Sequence, residues 1–117
     1  MERALGIGGY FIKAKDPKAL MTWYRDTLGL DLDEMGLWQL GVGPTVFATM
    51  ESNSDYFGSS GQQTMLNLRV RNLAMLAPLR ATGADVAEET QDMDGVGRFG
   101  WVTDPEGNRV ELWEVAP

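Results

Sequence analysis

The chain has 117 residues, a formal net charge of −7, no histidine and no cysteine. That length suits one domain with a single core, and the charge argues against a nucleic-acid backbone as partner, which calls for a basic patch. The missing residue types remove disulfides, thiolate catalysis and cysteine-ligated zinc, together with the commonest general base and metal ligand.

At the start of the chain, the stretch 1–9 carries Glu2 and Arg3 and only a short apolar run, unlike a secretory signal. No segment reaches the ~18 apolar residues of a membrane span. A cytoplasmic protein is the expectation. Gly6, Gly8 and Gly9 resemble part of a nucleotide loop, but they neither follow a strand nor open a helix.

Two stretches then share a grammar. Phe11-Ile12-Lys13-Ala14-Lys15-Asp16-Pro17 leads into a helical pattern that stops at Gly29. Leu66-Asn67-Leu68-Arg69-Val70-Arg71-Asn72-Leu73 leads into another that stops at Gly83. In each, an alternating strand is followed by an Asp or Asn suited to capping a helix, and a glycine suits the left-handed position beyond its end. A short strand signal follows each glycine, at Leu30–Leu32 and Ala84–Val86. The chain therefore reads as a repeated strand–helix–strand unit. Leu20, Tyr24, Thr27 and Leu28 share the core face of the first helix, with Met21 beside it. Trp23 and Tyr24 are adjacent, so one of them lies at an edge. Pro78 predicts a kinked or loosely opened second helix.

Further strands are predicted at 37–40 and 45–51, joined by Gly41-Val42-Gly43-Pro44, and at 99–103 and 109–115, joined by Asp104-Pro105-Glu106-Gly107-Asn108. The last linker has strong turn chemistry. Ser52 to Gly61 is a polar, glycine-rich linker, with Tyr56-Phe57 giving it a second reading as a lid. Period-two alternation places Arg109, Glu111, Trp113 and Val115 on one face of the final strand. Glu111 there needs a partner, and a salt bridge to Arg109 or Arg69 is the simplest one. Asp92, Asp94 and Asp104 are too loosely spaced for a calcium loop.

Asp16-Pro17, then Trp23-Tyr24-Arg25-Asp26-Thr27-Leu28-Gly29-Leu30, then Phe99-Gly100-Trp101-Val102-Thr103-Asp104-Pro105-Glu106-Gly107-Asn108-Arg109-Val110-Glu111-Leu112-Trp113-Glu114 resemble the glyoxalase/bleomycin-resistance/extradiol-dioxygenase, or vicinal oxygen chelate, family over essentially the whole chain. The resemblance implies an α+β fold: two βαβββ modules, about 1–58 and about 59–117 of a single domain 1–117, curled around a cavity with one helix per module outside. It also implies a homodimer.

The family's metal enzymes place His or Glu on four strands. The matching positions are Gly9, Ala48, Met65 and Glu111, and only the last is a ligand type. The expectation is therefore no metal and no cofactor, and a small-molecule-binding protein whose cavity is lined by Phe11, Trp38, Met50, Met65, Asn67, Trp101 and Trp113 around Glu111. Aromatic walls, methionines and one acid suit an aromatic or cationic ligand. Two enzymatic alternatives stand beside it: a lyase or isomerase using Glu111 as acid or base, and a metal-dependent glyoxalase-like enzyme.

Overall fold

The structure is a computed structural model that describes all residues, Met1–Pro117. Its first regular element is helix α1, Pro17–Leu28. Asp16 caps it by accepting from the Ala19 N–H at 3.1 Å, and Gly29 closes it at φ +75°. A side chain at that φ is strained, so glycine is the natural terminator. Leu20 and Tyr24 are its buried residues, and Trp23 meets Tyr24 edge-on from a half-buried position.

The second half carries the sheet. Strand β1, Asn67–Val70, leads to a 3-10 turn, Leu73–Met75, and helix α2, Leu76–Ala81. Asn72 caps the turn by accepting from the Ala74 N–H at 2.9 Å. The loose opening ahead of Pro78 is thus the 3-10 turn. Strands β2 (Asp85–Val86), β3 (Gln91–Met93), β4 (Gly97–Thr103) and β5 (Arg109–Val115) follow. The order across the sheet is β1-β5-β4-β2, with β3 also on β4; β1 and β5 run parallel and the other pairs antiparallel. The register slips between β2 and β3, so together they act as one interrupted edge strand. Strand β3 was not predicted.

One sheet face carries the main core, where Leu68, Val86, Val102, Val110 and Leu112 meet Leu20 and Tyr24 of α1 and Leu73, Leu76 and Leu79. Gly100 permits this closeness: a Cβ there would sit 2.5 Å from Leu76 Cδ1. The opposite face stacks Phe99 on Trp113 at 5.8 Å and buries Trp101 beside them.

The halves are joined by the β4–β5 turn. Asp104, only 4% exposed, accepts from the Glu106 and Asn108 N–H groups at 2.9 and 3.0 Å and from the Asn108 amide. Its other oxygen takes the Tyr24 hydroxyl of α1 at 2.7 Å. Glu106 in turn accepts from the Lys15 and Asp16 N–H groups at 2.6 and 2.9 Å, just ahead of α1.

The strands predicted at 11–14, 30–32, 37–40 and 45–51 are not present as hydrogen-bonded strands; the first half contains helix α1 and turns. Asp33 folds the chain locally by accepting from the Met35 and Leu37 N–H groups. The physical reason is coverage. Leu5, Phe11, Leu37, Val46 and Phe47 are more than half exposed, and a ladder without a covered face lacks the burial that offsets ordering its backbone. The radius of gyration, 14.7 Å, accordingly exceeds the about 13 Å typical of a compact chain this long.

Replacing Asp104 with Ala strands the Tyr24 hydroxyl and the turn amides. It should cost about 3 kcal/mol or more, against about 1–2 kcal/mol for Tyr24→Phe. Urea denaturation of both variants measures the difference. Equal losses would reduce the role of Asp104 to its bond with α1.

Candidate functional site

Pairing of β5 with β4 and β1 places Glu111 opposite both Trp101 and Asn67. Glu111 is 7% exposed. The Asn67 amide donates to its Oε1 at 2.7 Å, and the Trp101 indole N–H donates to its Oε2 at 3.1 Å. The Tyr56 hydroxyl, from the linker, also donates to Oε2. The predicted salt bridge of Glu111 to Arg109 or Arg69 is not formed. The ion pair in the structure joins Arg98 to Asp92 at 3.3 Å, and Arg69 instead donates to the Gly41 carbonyl at 2.8 Å. Three neutral donors satisfy the buried carboxylate without a cation.

Tyr56 thereby ties the linker to the sheet, and its ring meets Trp101 edge-on at 6.0 Å. Desolvation, then the hydrogen bond to Glu111 and that residue's charge, raise the Tyr56 phenol well above its ordinary value near 10. The Tyr24 phenol is raised by burial and by Asp104 in the same way.

Among the predicted lining residues, Met65, Asn67, Trp101 and Trp113 gather with Glu111 on this face. Trp113 is fixed by its indole N–H to the Val96 carbonyl at 3.1 Å. Trp38 packs against the core on the other face, and Met50 is 49% exposed. The opening itself lies elsewhere than around Glu111. A cavity of about 510 Å³ runs between residues 10–13 and 62–66 and reaches Tyr24 and the start of β5. Phe11 is the predicted lining residue that borders it. The reason for the displacement is that Tyr56 and Met65 already pack against the aromatic face.

Two residues missed as site members are Gln62 and Arg109. The Gln62 side chain accepts from the Arg109 N–H at 2.7 Å and donates to its carbonyl at 3.0 Å. The Arg109 guanidinium carbon lies 4.9 Å from the Trp101 ring centroid. Alternation along the last strand puts Arg109 on the same face as Glu111 and suggests it only as that residue's partner.

The profile of the Glyoxalase-like domain matches residues 9–113. The chain belongs to this glyoxalase-like family. Its fold resembles that of the antibiotic-binding protein TnmS3 from Streptomyces sp. CB03234, with 22% identity, 90% of this chain and 91% of that one covered, and a TM-score of 0.56. Lactoylglutathione lyase from Agrobacterium tumefaciens is similar at 22% identity, with coverage of 96% and 95% and a TM-score of 0.57. A glyoxalase/bleomycin resistance protein/dioxygenase superfamily member from Sphaerobacter thermophilus DSM 20745 has 18% identity, coverage of 88% and 91%, and a TM-score of 0.54. A search of curated proteins finds no significant match.

The metal of the family's enzymes does not fit the residues of this glyoxalase-like domain. A Cβ on Gly9 would meet only the Phe11 ring, Ala48 is exposed, and Met65 packs on the aromatic cluster. Glu111 has both oxygens engaged by protein donors.

For both tyrosines the folded pKa lies above the unfolded value, so their contribution to stability is complete below about pH 10 and falls as pH rises beyond it. Alkaline titration followed by phenolate absorbance should show Tyr24 and Tyr56 ionising late, together with unfolding. Tyr56→Phe should also speed protease cleavage within 52–61 while leaving the sheet's circular dichroism unchanged. Unchanged cleavage would mean that the linker is held by something other than Tyr56.

Proposed function

We propose that this glyoxalase-like domain is a metal-free protein that binds a small organic molecule. The observation that carries the reading is the 510 Å³ cavity, which falls within the size range of ligand sites. Half of its lining residues are apolar or aromatic, Phe11, Ile12, Leu66 and Val110 among them, and half are polar, including Gln62, Thr64 and Arg109. Apolar and polar walls in equal share suit a partly aromatic ligand that also carries polar groups. The resemblance to an antibiotic-binding protein supports the same class. In this reading Glu111 is a structural acceptor that holds Tyr56 and Trp101 in place, and acid–base work would require it to release them.

Thermal-shift and calorimetric screening of aromatic compounds checks the proposal. Saturable binding with unchanged affinity in Glu111→Gln is expected; turnover of a bound compound that disappears in this variant would favour a lyase or isomerase. Near-stoichiometric Ni, Fe, Mn or Zn in protein purified without chelators would overturn the metal-free reading.

The paired βαβββ architecture and the homodimer belong to the same proposal. Exposed Leu5, Leu37, Val46 and Phe47 give the first half an apolar surface that a second copy can cover, and covering it would supply the burial its strands lack. Light scattering should give twice the chain mass, with slow amide exchange in 37–51. A monomer at micromolar concentration contradicts this arrangement. Cytoplasmic residence is proposed alongside and is checked by cell fractionation.

A further inference from the structure

Arg109 is fixed in position while one of its buried donors has no partner. Gln62 holds both of its backbone polar groups. Its side chain runs past Gly58, where an added Cβ would lie 3.1 Å from Arg109 Cδ, and the guanidinium lies over Trp101. Trp101 is itself fixed through its indole N–H to Glu111. Arg109 Nε is buried and has no hydrogen-bond acceptor. A buried donor left unmade costs free energy that folding alone does not explain. The neighbouring acid on the same face, Glu111, is engaged by Tyr56, Asn67 and Trp101.

Arg109 also lines the cavity, along with Lys13, and none of the twelve lining residues is Asp or Glu. In a chain of net charge −7, a cavity walled by two cations and no acid is set apart from the rest of the surface. A guanidinium held over an aromatic ring, here 4.9 Å from its centroid, is pre-organised for a planar, two-oxygen acceptor. The apolar walls at Phe11, Ile12, Leu66 and Val110 suit the hydrocarbon body that would carry it.

We propose that the cavity between residues 10–13 and 62–66 binds an aromatic carboxylate, with Arg109 recognising the carboxylate and Lys13 adding attraction at the mouth. This rests on the reading of the domain as a small-molecule binder and reverses the charge first expected of its ligand. The guanidinium forms charge-assisted hydrogen bonds to the acid, while the ring contacts the apolar wall.

The test uses three probes of one shape: 2-naphthoate, 2-naphthamide and 2-naphthylmethylammonium, each titrated calorimetrically into the full chain at neutral pH. The naphthoate should bind at least about tenfold more tightly than the amide, a gap on the scale of one charge-assisted contact, and the ammonium most weakly. Arg109→Gln should bring the naphthoate down to the affinity of the amide and leave the amide unchanged. Lys13→Gln, at an exposed position that does not bear on folding, should reduce naphthoate binding severalfold and lessen its salt dependence, even if Arg109→Gln proves unstable. Amide binding as tight as naphthoate would overturn the carboxylate while leaving small-molecule binding intact. Preference for the ammonium would return the site to a cation. Failure of all three probes would count against the cavity as a ligand site and against the broader reading with it.

Discussion

Burial of the Asp104 carboxylate is the constraint on which the arrangement of this chain depends. One side of it organises the β4–β5 turn through the Glu106 and Asn108 amides, and the other receives the Tyr24 hydroxyl from α1. A buried charge survives only when its hydrogen-bonding capacity is filled, so turn and helix specify each other. Glu106, two residues on, reaches the backbone ahead of the same helix. The two sequence signatures that mark the family, one around Trp23-Tyr24 and one around Asp104 to Asn108, are therefore two halves of a single contact.

The same economy governs the other buried acid. Glu111 sits among aromatic rings, where an unpaired carboxylate would be costly, and neutral hydrogen-bond donors satisfy it in place of a cation. Phenol, indole and amide donors reach it from the linker, β4 and β1. None of these donors is a cation, and Arg109 forms no ion pair with Glu111. A salt bridge between Arg109 and Glu111 would have joined two residues of one strand face and silenced both.

What could be read in the sequence was what depends on neighbours along the chain. Asp16 and Asn72 announced helix starts, Gly29 and Gly83 helix ends, and Asp104-Pro105 a turn, since each acts within a few residues. Alternation along β5 correctly sorted Glu111 and Trp113 from Val110 and Leu112, because β4 and β1 flank that strand and give each face a definite environment. The same rule misplaced Trp38 and Met50. Alternation assigns a face only where a ladder exists, and the first half has none. Tyr56 reaches Glu111 across 55 residues, and no local pattern encodes such a meeting beyond the aromatic pair in an otherwise polar linker. Strand β3 escaped notice for the opposite reason: its residues are all exposed, so it carries no apolar period.

The contact between the tip of the β4–β5 turn and the backbone ahead of α1 also bears on how the chain is assembled. Glu106 grips Lys15 and Asp16 across some 90 residues of sequence, and Tyr24 is anchored to Asp104 across 80. Covalent continuity through 52–61 is thus not what keeps the first helix on the sheet. A chain nicked in that linker would remain a two-piece complex, and the start of the protein can take its final place only after its last two strands have been made.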